Sequence, residues 1–82
     1  MTGRLDKLLA EIENNARDVR FSNLCTLLKG YGFILDHVRG SHHIFKHPGI
    51  KEIANIQEVK GRAKPYQVRQ VLKLIERIKG GE

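Results

Sequence analysis

An 82-residue chain with 40% apolar and 29% charged residues has room for one small domain and is too apolar to be disordered. One cysteine, Cys25, excludes an internal disulfide, and no stretch is long and apolar enough to cross a bilayer, so a soluble protein of the reducing cytoplasm is expected. The net charge of +6 is uneven, at −1 over residues 1–18, +2 over 19–59 and +5 over 60–82. Basic charge gathered in one segment points to a polyanion or an acidic partner, with a solvated helix face as the plain alternative.

Met1 to Leu9 carries charges inside its apolar pattern, so no signal peptide is expected there. Leu5, Leu8, Leu9 and Ile12 follow the spacing of a helix with one buried stripe, ended by Asn14-Asn15. Ser22 is the expected N-cap of a second helix, whose stripe is Leu24, Leu27 and Leu28 and whose end is Gly30 and Gly32. Cys25 falls among these leucines as a buried structural thiol. Phe33 to Arg39 reads as a strand with imperfect alternation. Gly40-Ser41 then reads as a two-residue type II′ turn, because glycine supplies the positive φ needed at its first central position.

His42 to His47 is the return strand, stopped by Pro48-Gly49, and residues 53–59 form a third, shorter one. Lys60-Gly61-Arg62-Ala63-Lys64 reads as a basic loop. Pro65 suits the first turn of a helix with the stripe Val68, Val71, Leu72, Ile75 and Ile78, and Gly80-Gly81 is the exit. The order α-α-β-β-β-α predicts an α+β domain, a three-stranded antiparallel sheet with helices on one face and the other face open.

The chemistry is expected on the hairpin, where three of the four histidines lie within residues 42–47. His42 and His43 are adjacent on a strand and so point to opposite faces, one toward the helices or rim and one exposed. An exposed imidazole can take a proton from a hydroxyl, in RNA the ribose 2′-OH, although either histidine can equally be structural. His43 and His47 share a face but lie roughly 13 Å apart in extended chain, too far for one zinc ion, so no metal or other cofactor is expected. Lys60, Arg62 and Lys64 lead into a helix N-terminus with Arg69 one turn on, an arrangement that favours phosphate or is simply a solvated loop.

Gly32-Phe33 and the run Arg39-Gly40-Ser41-His42-His43-Ile44-Phe45-Lys46-His47-Pro48, set between a leading and a closing helix, resemble the HicA family of toxin ribonucleases (YcfA-like proteins). The likeness runs from about Phe21 to Ile78. It implies a fold like a double-stranded-RNA-binding domain and a metal-independent mRNA interferase with a HicB-type antitoxin as partner. It also implies that His42, directly after Gly-Ser, is catalytic and that Gly40 and Ser41 form the turn presenting it. Arg39, Lys46, Lys60, Arg62, Lys64 and Arg69 are candidate RNA contacts on charge alone. The expected division is an N-terminal helical extension over 1–20, the domain proper over 21–79 and a tail over 80–82. A non-catalytic RNA-binding module of the same fold is the alternative, and a module for an acidic protein partner a third.

Overall fold

The leucine stripe of the second expected helix forms the centre of the molecule. In the computed structural model, which describes residues 3–80, Leu24, Leu27 and Leu28 are fully buried in helix α2, Phe21–Gly30. Met1, Thr2 and the Gly81-Glu82 end of the expected tail lie outside the described residues. Helix α1, Arg4–Asn14, adds Leu9 and Ile12 to the same core, and Leu5 lies over Gly30 in the space a Cβ would need. Helix α3, Pro65–Lys79, contributes Val68, Val71 and Ile75, with Pro65 in its first turn. Each buried leucine contributes about 1.5–3 kcal/mol of transfer free energy.

Strands β1 (Ile34–Arg39), β2 (His42–Lys46), β3 (Ala54–Val59) and β4 (Arg62–Ala63) form one antiparallel sheet in the order β1-β2-β3-β4. The count is therefore four, not three. The segment expected to be a basic loop is a hairpin, with Lys60 at φ +51 and Gly61 at φ +80 in its turn and Val59 opposite Arg62. Two positive φ angles are the mark of a type I′ turn; lysine at its first position hides it, because Asn-Gly or Asp-Gly is the usual sign. Two residues of strand are also too short to leave an alternation.

This hairpin corrects a second expectation. Ser22 does not cap α2; it is the second helical residue, and Arg20 holds the cap position without a side-chain bond. Backbone pairing takes over the task. Phe21 N–H donates to Gly61 O and Ala63 N–H to Val19 O, both at 2.9 Å, so the hairpin itself satisfies the helix start.

Phe45, Ala54, Ile56 and Ala63 carry the covered face of the sheet into the core. Gln67 of α3, almost fully buried, accepts a hydrogen bond from Gln57 N–H at 2.7 Å and pins the helix to β3. Gly40 has φ +60 while Ser41 keeps a negative φ, the signs a type II′ turn has. Because neighbouring strands are antiparallel, the Gly40-Ser41 and Lys60-Gly61 turns stand at the same end of the sheet. Ser41 O accepts from Glu58 N–H there at 3.1 Å.

Candidate active site

The two-residue turn sets the register of the first hairpin. Arg39 lies opposite His42, His37 opposite Ile44 and Ile34 opposite Lys46; β3 adds Gln57 opposite His42 and Asn55 opposite Ile44. Residues directly opposite share a face. The open face therefore carries a first row of Arg39, His42 and Gln57, a second of His37, Ile44 and Asn55, and a third with Ile34 and Lys46. Ile44 is buried yet outside the main core, and it floors a groove of 370 Å³ lined also by His37, Arg39, His42, Ile53 and Asn55.

Hydrogen bonds orient both imidazoles of this groove. His42 Nδ1 donates to Asn55 Oδ1 at 3.1 Å. An amide oxygen only accepts, so Nδ1 carries the proton and Nε2 of neutral His42 keeps its lone pair. His37 Nδ1 lies 2.7 Å from Asp36 Oδ2, and Lys46 Nζ is 3.6 Å from the same oxygen. The hydrogen bond from His37, aided by the Lys46 ammonium, holds the Asp36 carboxyl below its usual range. Ser41 Oγ accepts from Gln57 Nε2 at 3.1 Å, which ties the turn to β3.

The other two histidines face the helices. His43 meets Phe21 edge-on at 4.7 Å, and its Nδ1 is buried without a hydrogen-bond partner. His47 meets Phe33 at 5.0 Å, accepts Gly49 N–H on Nδ1 at 2.9 Å and fills the space beside Gly32 and Gly49. Among the described residues, no group of three His, Cys, Asp or Glu side chains is placed to hold a metal ion. Cys25 is half-buried, and burial pushes its thiol up, away from the reactive thiolate.

The remaining candidates separate into regions. Arg39, Gly40, Ser41 and His42 share one hairpin end. Lys60 and Arg62 stand at the same end of the sheet on the second hairpin, bordering a cleft with Arg20 and Ser22, and Arg62 Nε is 3.4 Å from Asp18. Lys64 is the N-cap residue of α3, and Arg69 is exposed on that helix. Lys46 is at the other end of β2, four residues and roughly 13 Å of strand from His42. His37 and Asn55 were not singled out from sequence. The signal for His37 was available: with Arg39 opposite His42, counting back two residues puts His37 on the same face.

The family model for the HicA toxin of bacterial toxin-antitoxin systems matches residues 21–76, from the start of α2 almost to the end of α3. The chain belongs to the HicA toxin family. Its family role is thus that of the toxin in a toxin–antitoxin pair, which implies an antitoxin partner. No curated protein and no solved structure matches the chain significantly. The match begins where α2 begins, so α1 of this HicA-family chain lies outside it while sharing its core. No helix among the described residues is long and apolar enough to cross a membrane.

Proposed function

We propose that this HicA-family chain is a metal-independent mRNA interferase, the toxin of a type II toxin–antitoxin system, acting in the cytoplasm through His42. The observation that carries the proposal is the His42–Asn55 hydrogen bond on the open face, which leaves Nε2 as a base over an accessible groove. A base so held can take the proton of a ribose 2′-OH as the oxygen attacks the adjacent phosphorus. Arg39, opposite His42 in the same row and without a carboxylate partner among the described residues, is suited to hold the phosphate.

Lys60, Arg62, Lys64 and Arg69 extend positive charge from that end of the sheet toward α3 and would carry the flanking backbone. Lys46, neutralised by Asp36, would touch RNA only beyond the groove. The order helix, hairpin, third strand and closing helix over 21–79 fits the double-stranded-RNA-binding-domain-like fold that the family likeness implies, with 1–20 as an extension. A HicB-type antitoxin would cover the open face. Ile34, Ile53 and Val59, 66%, 50% and 43% exposed, offer it apolar anchors around the groove.

The test is cleavage of a mixed mRNA pool in EDTA by purified wild type and His42→Ala. Wild-type cleavage leaving 2′,3′-cyclic phosphate ends is expected, with a loss on the order of 10²–10⁴-fold in the variant and unchanged folding. RNA binding that weakens with salt, without cleavage by either protein, would replace the enzyme with a binding module.

A further inference from the structure

One base does not complete this reaction, because the departing 5′-oxygen also needs a proton. We infer that His37 is the general acid of the site, a role that rests on the ribonuclease reading above. His37 and His42 are diagonal cross-strand neighbours on the open face, line one groove and are separated by roughly 7–8 Å between Cα atoms. That spacing lets two imidazoles flank one phosphodiester.

Their hydrogen-bond partners sort the roles. Asn55 accepts the Nδ1 proton of His42 without adding charge and leaves Nε2 as the nitrogen turned to the groove for the role of base. Asp36 gives His37 a carboxylate at 2.7 Å, the counter-charge that an imidazolium needs, and leaves Nε2–H as the proton that can be given away. His43 and His47 pack edge-on against Phe21 and Phe33 on the other face of the sheet, away from this groove. Lys46 is four residues along the strand from His42, does not line the groove and is paired with Asp36.

The step balances without a metal or a redox partner. The 2′-oxygen forms its bond to phosphorus as its proton passes to His42 Nε2. The bond from phosphorus to the 5′-oxygen breaks, and that oxygen leaves with the bonding pair and takes the proton of His37 Nε2. The products are a 2′,3′-cyclic phosphate and a 5′-hydroxyl; exchange with water returns each imidazole to its starting state.

The full chain, free of antitoxin, is assayed on an RNA oligonucleotide and on the same oligonucleotide with sulfur replacing the 5′-bridging oxygen at the scissile bond. A thiolate departs without protonation. His37→Ala is expected to lose on the order of 10²–10⁴-fold on the oxygen substrate and to approach the wild-type rate on the sulfur one. His42→Ala should fail on both. An equal loss by His37→Ala on both substrates would make His37 a structural or binding residue, and no loss on either would remove it from the reaction. Cleavage of neither substrate by the wild type would instead overturn the ribonuclease reading, and this role with it.

Discussion

On β2, residues one apart face opposite sides of the sheet. His43 and His47 look into the helix layer, where each imidazole is half-buried against a phenylalanine ring and works as packing. His42, between the turn and His43, looks outward over Ile44 into an open groove, with a side-chain amide to hold it and His37 across the ladder. The residue type is the same on both faces. Strand parity decides which imidazole meets the groove and which packs on a phenylalanine ring, and it does so before any pKa is considered.

If that division is right, the two faces respond to mutation in opposite ways. Outside the groove, the largest effect is expected at His47. Replacing it with Ala removes the acceptor of Gly49 N–H and the ring between Gly32 and Gly49, so stability should fall by about 1–3 kcal/mol. Activity per folded molecule should not change. Denaturant melts paired with initial rates measure both; lost activity at full folding would break the comparison.

His43 makes a sharper case because its sign is unusual. Its buried Nδ1 lacks a partner, and an unpaired buried polar atom costs about 1–3 kcal/mol, while the edge contact with Phe21 returns about 0.5–1.5 kcal/mol. His43→Leu removes the orphan and keeps most of the bulk. The melting temperature should rise, by the equivalent of up to about 1 kcal/mol, at constant activity. A fall would mean that the imidazole is satisfied in solution by water.

These contrasts also show what could be read before the structure. The turn was legible because Gly-Ser between two strand-like runs fixes a two-residue loop, and with it the pairing of Arg39 and His42. That His42 and not His43 takes the open face was not legible, and His42 was singled out by the family resemblance. His37 followed from the same count, but the register shifts between Leu35 and His37, and that irregularity blurs the alternation of the first strand. Asn55 was out of reach: after the turn that Ile50 N–H closes onto His47 O, residues 51–53 run on without strand pairing before β3 begins, so the turn does not set the register of β3. The fourth strand was hidden by a lysine at positive φ. Lys46 was offered as an RNA contact on charge alone, and charge alone does not count distance along the strand.

The smallest effect separates electrostatics from architecture on the open face. Asp36 is exposed, and its carboxyl is held below the ordinary value of 3.8, chiefly by the hydrogen bond from His37. A lowered folded value means that the unfolded chain binds the proton more readily. The stabilisation is therefore complete above the ordinary carboxylate range and is lost as pH falls through the lowered folded value. Glu52, lowered by its pairing with Arg77 of α3, acts with the same sign. Asp36→Asn should thus melt slightly below the wild type at neutral pH, and the gap should close in acid while the Glu52 contribution still shapes both curves. A gap that persists at the lowest pH would assign Asp36 a packing role in the irregular turn of β1. A gap that closes leaves it what the geometry makes it, a counter-charge to His37 and Lys46 that stabilises the fold only while it is ionised.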